Sequence, residues 1–68
     1  MKTTVELEKM LAILQEDIDQ LRDARECEDG ELEDFYKGRY TTRARFVEEV
    51  TGADIYVTNW RVVATERD

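Results

Sequence analysis

Apolar residues recur every three or four positions along the first part of the chain. They are Leu7, Met10, Leu11, Leu14, Ile18 and Leu21. At 100° per residue this spacing places them in one stripe, which is typical of an amphipathic helix. Thr3 and Glu6 match a capping box at its start, and Gly30 is typical of a helix stop. The pattern predicts a first helix over about residues 4–28.

A second helical pattern follows after a very short loop. Its apolar stripe comprises Leu32, Phe35, Tyr36, Tyr40, Phe46, Val47 and Val50. Gly38 falls on the opposite side of the helical wheel, so one helix over about residues 31–51 accounts for the whole pattern, with Gly52 as its stop. A kink or a break at Gly38 is the alternative. Because short loops join antiparallel neighbours, the two helices are predicted to form a hairpin with facing stripes.

Residues 54–65 have no helical face, because their apolar side chains fall all round the helical wheel. Isoleucine, valine, tyrosine, threonine and tryptophan dominate, which favours β structure. A hairpin turning at Thr58-Asn59 would bring two pairs to one face: Val57 with Trp60, and Ile55 with Val62. One continuous strand that pairs with the same strand of a second copy is the alternative.

The predicted fold class is α+β, with an antiparallel helical hairpin followed by a C-terminal β-hairpin or strand in a single domain over residues 1–68. A chain of this length buries only about 60% of its unfolded surface, so its core is marginal. One cysteine and no histidine exclude an intrachain disulfide and most zinc sites. Self-association and unusually good helix packing are the remaining sources of stability, and we favour the first, so the chain is predicted to be a homodimer.

The net charge of −7 is distributed unevenly along the chain. Residues 1–36 carry four basic and twelve acidic side chains, whereas residues 37–68 carry six basic and five acidic ones. The acidic half opposes binding to phosphates and suits a protein partner with a basic surface. The exposed side of the first helix would present Glu16, Asp19 and Asp23 to this partner. A purely solvating acidic face is the alternative.

Arg39 and Arg43 interrupt the apolar stripe of the second helix between aromatic residues. Their stems are expected to lie along the helix pair while the guanidinium groups reach an acid at the stripe edge, such as Asp17. Arginine and tyrosine are also enriched at interface hot spots. A second group of predicted partner-binding residues is therefore Tyr36, Arg39, Tyr40 and Arg43.

No pattern in the chain indicates catalysis, a metal or a cofactor. The single thiol, Cys27, has acidic neighbours that disfavour its reactive thiolate form. The acidic run around Gly30 departs from a calcium-binding EF-hand loop, because Arg25 and Cys27 occupy ligand positions. No apolar run approaches membrane-spanning length, and the lone cysteine and charged first residues favour a cytoplasmic location, in the host if the chain is viral.

These features favour a non-enzymatic protein-binding module, a small acidic regulator or inhibitor that occupies a partner's surface. Short phage-encoded proteins and acidic mimics of nucleic acid are examples of this class. The expectation depends on composition and exclusion, since no motif in the chain names a partner.

A DNA-binding transcriptional regulator is the alternative. The run VTNWR, residues 57–61, resembles the V-S-N-W run in recognition helices of phage-repressor-like helix-turn-helix proteins, and FVEEVTG would be the preceding helix and turn. The resemblance implies that residues 46–67 read DNA, with Asn59 and Arg61 available to base edges. Glu48 departs from the family pattern, because the family has a small residue packed between helices at that position.

Overall fold

The computed structural model describes residues 5–66, which form two helices followed by a two-stranded antiparallel sheet. The elements are α1 (Val5–Glu26), α2 (Gly30–Thr51), β1 (Ala53–Thr58) and β2 (Arg61–Glu66). The predicted α+β fold, a helical hairpin with a C-terminal β-hairpin, is confirmed. α2 continues without a break through Gly38. The predicted capping box includes Thr3, which lies outside the described residues.

The loop between the helices does not use Gly30 as the stop of α1. Glu28 takes the left-handed conformation instead, with a φ of 56°, and the Asp29 N–H donates to the Ala24 carbonyl at 2.9 Å, as in a Schellman motif. The Asp29 carboxylate accepts a hydrogen bond from the Leu32 N–H at 3.1 Å and so caps α2. The predicted stop is wrong because Asp29 is a favourable N-cap residue, and the glycine after it is already helical.

The core lies between the two helices and the inner face of the sheet. Its buried apolar residues are Leu7, Leu14, Ile18, Ala24, Ala44, Val47 and Ala53. Ile55 and Val62 pack against this core from β1 and β2. α2 ends as predicted at Gly52, which has a φ of 74° and donates its N–H to the Glu48 carbonyl at 2.8 Å. The sheet therefore folds back directly onto the helix pair.

Part of the apolar stripe predicted for α2 faces solvent. Four of its members are between 45% and 59% exposed: Leu32, Phe35, Phe46 and Val50. Tyr40 and Val47 instead pack inward, together with Ala44. The two stripes face each other only in part, because the α2 stripe spans roughly 140° of the helical wheel and one neighbouring helix covers a narrower arc.

The β-hairpin turns at Asn59 and Trp60, one residue later than predicted. Both residues have positive φ, 51° and 63°, as a two-residue type I′ turn requires. Val57 consequently faces Val62 and not Trp60, and Trp60 lies in the turn and not in a strand. The predicted turn at Thr58-Asn59 is wrong because asparagine adopts the left-handed conformation more readily than the β-branched threonine.

The recognition helix implied by the helix-turn-helix resemblance is not formed, because residues 53–58 and 61–66 are strands. Glu48 also has a different role from the one the resemblance assigns to its position. Its carboxylate accepts a hydrogen bond from the Ile55 N–H at 2.9 Å. The contact holds the start of β1 against α2, where the resemblance requires a second helix.

Candidate protein-binding surface

A buried carboxylate lies between two arginines at the interface of α1 and α2. Asp17 is 0% exposed, and its Oδ1 accepts from Nε of Arg39 at 2.9 Å and lies 2.7 Å from Nη2 of the same residue. Nη1 of Arg43 lies 3.2 Å from Oδ1 and 3.1 Å from Oδ2. The predicted contact of both arginines with Asp17 is confirmed. Two guanidinium groups share one carboxylate, which leaves one positive charge in excess at this point.

A shallow depression lies beside Arg39, with a volume of about 410 Å³. Its lining residues are Glu16, Asp19, Gln20, Tyr36 and Arg39, and we call it the mixed depression. The guanidinium carbon of Arg39 lies 4.9 Å from the Tyr36 ring centroid and 5.4 Å from that of Phe35. The two rings meet edge to face at 5.2 Å. Arg39 is therefore held both by Asp17 and by two aromatic rings.

Four of the seven predicted partner-binding residues line the mixed depression: Glu16, Asp19, Tyr36 and Arg39. The other three lie elsewhere. Asp23 is exposed on α1 outside the depression, Arg43 lines a different surface, and Tyr40 packs against the core. Burial raises the pKa of the Tyr40 phenol, and the negative charge of Glu48 raises it further. Tyr40 is thus placed to stabilise the core more than to contact a partner.

A second concavity, which we call the apolar groove, lies between α1 and α2 and has a volume of about 480 Å³. It is lined by Met10, Ile13, Leu14, Thr42, Arg43, Phe46 and Val47. The β-hairpin packs on the opposite side of α1, where Gln15 donates to the Trp60 carbonyl and accepts from the Val62 N–H, both at 2.9 Å. Residues two apart on a helix point about 200° apart, so Ile13 faces away from the hairpin.

The apolar groove was not predicted from the sequence. Ile13 and Phe46, which are 47% and 59% exposed, stand at its open side. Ile13 lies outside the predicted α1 stripe, and Phe46 belongs to the predicted α2 stripe. An apolar residue next to a stripe, such as Ile13, is the one sequence signal that indicated a second apolar surface.

Comparison of the chain with protein-family models, curated proteins and solved structures finds no match. Within residues 5–66, no three histidine, cysteine, aspartate or glutamate side chains are grouped so that they would hold a metal ion, including those near the exposed Cys27. No helix in the described part of the chain has the length and apolar character needed to cross a membrane. The candidate binding surfaces are therefore the mixed depression and the apolar groove.

Proposed function

We propose that the chain is a non-enzymatic protein-binding module, a small acidic regulator or inhibitor that acts by occupying the surface of a protein partner. The observation that carries the proposal is the convergence of Glu16, Asp19, Tyr36 and Arg39 on the mixed depression. They come from two helices, Glu16 and Asp19 from α1 and Tyr36 and Arg39 from α2, yet they form one surface of two carboxylates, an aromatic ring and a guanidinium group.

The chemistry of the mixed depression suits a basic segment of a partner. Glu16 and Asp19 are exposed acceptors for the lysine or arginine side chains of such a segment. The half-buried Tyr36 ring offers apolar contact, and tyrosine and arginine are the residue types that carry most binding energy in interfaces. Arg39 is already oriented by Asp17, so little side-chain entropy is lost when a partner contacts it.

The acidic surroundings extend the attraction beyond the depression. Glu8, Asp23 and Glu26 are exposed on the same helix as Glu16, and the whole chain carries a net charge of −7. This field accelerates encounter with a basic partner and weakens as salt rises. A partner that normally binds nucleic acid would meet these requirements, so action as an acidic mimic is included in the proposal. We place this activity in the cytoplasm, of the host if the chain is phage-encoded.

The test is partner capture with matched charge variants. We expect Glu16→Gln/Asp19→Asn to reduce the captured partner at least 10-fold relative to the parent chain. The control, Glu8→Gln/Asp23→Asn, removes the same charge from the same helix outside the mixed depression and should reduce capture less than 3-fold. Equal losses in both variants would indicate general electrostatic attraction and would contradict a specific site. If both variants capture the partner as well as the parent chain does, the partner binds another surface.

A mobility-shift assay distinguishes DNA binding from protein binding. It uses random duplex DNA at about 50 mM salt, where nonspecific binding is easiest to detect. We expect no shift, because the acidic half of the chain repels phosphate. A clear shift that disappears at higher salt would overturn the protein-binding proposal in favour of nucleic-acid binding.

A further inference from the structure

We infer that Gln15 couples the β-hairpin to the mixed depression, so that a partner bound at Asp19 stabilises the packing of the hairpin on α1. The inference rests on the proposed function and adds a way in which the same binding surface is regulated. It begins from the half-buried Gln15 side chain, whose hydrogen bonds connect both structures. Two of these bonds hold the hairpin, and another holds a carboxylate of the mixed depression.

The hydrogen bonds of Gln15 fix the orientation of its side-chain amide. Nε2 donates to the Trp60 carbonyl at 2.9 Å and to Oδ1 of Asp19 at 3.1 Å, while Oε1 accepts from the Val62 N–H at 2.9 Å. A primary amide has two N–H donors, and both are used here. Turning the amide over would bring an N–H against the Val62 N–H and an oxygen against two oxygens. The hairpin backbone therefore sets the direction of the N–H that holds Asp19.

The anchored amide in turn orients the Asp19 carboxylate, which lies one helical turn further along α1. A glutamine and an aspartate four residues apart interact only weakly on a free helix, where both side chains rotate. Gln15 is held by the hairpin, so Asp19 has a fixed donor. Among the described residues, no donor contacts Oδ2 of Asp19, and this exposed oxygen can accept from a lysine or arginine of the partner.

The coupling follows from what happens when the hairpin separates from α1. Gln15 then loses its two backbone partners, and the Asp19 side chain is free to rotate before the partner binds. Holding one such side chain in its bound orientation strengthens binding by about 3- to 10-fold. Coupling between two sites is reciprocal, so a bound partner should favour the packed hairpin by the same factor.

The first test leaves Gln15 unchanged and uses a penta-arginine peptide as the basic segment. Saturating the full chain with this peptide should slow amide hydrogen exchange at Val62 by about 3- to 10-fold, as measured by NMR. Asp19→Ala removes the carboxylate that Gln15 holds. In this variant a saturating concentration of the peptide should leave exchange at Val62 unchanged.

The second test is a double-mutant cycle on the affinity for the same peptide. Gln15→Met keeps a long side chain but removes its hydrogen bonds, and should weaken binding about 3- to 10-fold in the parent chain. In the Asp19→Ala background the same change should have less than a 2-fold effect. The control Thr51→Val removes an acceptor from the Ala53 N–H without altering charge or touching Asp19, and should change affinity less than 2-fold.

The two tests separate the coupling from the proposed function. A peptide that does not bind, or that binds Asp19→Ala as well as the parent chain, would contradict the proposed binding surface and the coupling with it. Binding that depends on Asp19 but leaves exchange at Val62 unchanged would overturn the coupling alone. So would an equal effect of Gln15→Met in the two backgrounds, since Gln15 would then act on stability and not through Asp19.

Discussion

Asp17 and Arg39 form the shortest ion pair among the described residues, with 2.7 Å between Oδ1 and Nη2. The carboxylate is fully buried on α1, while 36% of the Arg39 side chain is exposed on α2. Arg43 contacts the same carboxylate and is 44% exposed. Arg39 lines the mixed depression and Arg43 lines the apolar groove, so one buried acid orients a side chain on each of the two candidate surfaces.

The first prediction is that the effects of removing the two arginines are not additive. Arg39→Met or Arg43→Met alone should lower the free energy of unfolding by about 1 kcal/mol, because the remaining partly solvated guanidinium still neutralises Asp17. The double variant leaves a buried carboxylate without a cation and should lower it by about 3–5 kcal/mol.

Urea denaturation followed by circular dichroism measures this difference. The control is Lys37→Met/Arg45→Met, which removes two exposed cations from the same helix and should change stability by less than about 0.5 kcal/mol. A double variant whose loss equals the sum of the single losses would contradict the shared role of Asp17.

The second prediction concerns Gln15, which connects α1 to the β-hairpin. Gln15→Ala leaves the Trp60 carbonyl and the Val62 N–H without their side-chain partner and should lower the free energy of unfolding by about 2 kcal/mol. Amide hydrogen exchange at Val62 should accelerate in the same variant. Gln20→Ala, an exposed change on the same helix, is the control and should have little effect. Unchanged exchange at Val62 would show that this contact does not hold the hairpin.

The third prediction is that two glycines of the chain respond to alanine with opposite sign. Gly38 is inside α2 and no atom lies within 4 Å of an added Cβ, so Gly38→Ala should stabilise the protein by about 0.5–1 kcal/mol. Gly52 has equal space but a φ of 74°, so Gly52→Ala should destabilise it by about 1 kcal/mol. Thermal unfolding of both variants is the measurement, and a shift of the same sign for both would contradict the assigned backbone conformations.

How far the sequence predicts this fold depends on the kind of signal each element carries. α1 was predictable because Leu7, Leu14 and Ile18 repeat at helical spacing and all three are buried. The position of the hairpin turn was not predictable, because moving the turn by one residue leaves Ile55, Val57 and Val62 on a common face. The alternation of apolar and polar residues is therefore the same for both turn positions. Only the preference of Asn59 for a left-handed conformation separates the two registers.

The two candidate surfaces also differ in how well the sequence predicts them. The contact of Asp17 with Arg39 was predictable, because a charged residue at the edge of one stripe faces a charged interruption of the other. The apolar groove was not, since its exposure depends on which side of the helices the β-hairpin covers. On that side the Gln15 and Glu48 side chains make hydrogen bonds with the backbone of the hairpin, and isolated polar residues leave no periodic pattern in a sequence.

The fourth prediction concerns how the free energy of unfolding changes at alkaline pH. The pKa of Tyr40 is raised above 10.0 in the folded chain, first by burial and then by Glu48, so the unfolded chain loses this proton at lower pH than the folded chain. The contribution of Tyr40 to the free energy of unfolding is therefore fully present below about pH 10 and decreases as the pH rises above it. Tyr40→Phe should make the fall in unfolding free energy between pH 9 and 11 shallower than in the parent chain. Identical slopes for the parent and Tyr40→Phe would contradict this role.

The last prediction is that, at Trp60, glycine is tolerated better than alanine. Trp60 occupies the second position of the type I′ turn with a φ of 63°, and its ring lies 5.9 Å from the Arg22 guanidinium and 5.7 Å from that of Arg25. Either substitution removes these ring contacts, which should lower stability by about 1–2 kcal/mol. Alanine retains the left-handed strain, whereas glycine relieves it and creates the Asn-Gly pair that this turn prefers. Trp60→Gly should therefore be more stable than Trp60→Ala by about 1 kcal/mol, as measured by thermal unfolding followed by circular dichroism. The opposite order would mean that residue 60 does not adopt positive φ, and that the sheet uses the earlier turn at Thr58-Asn59.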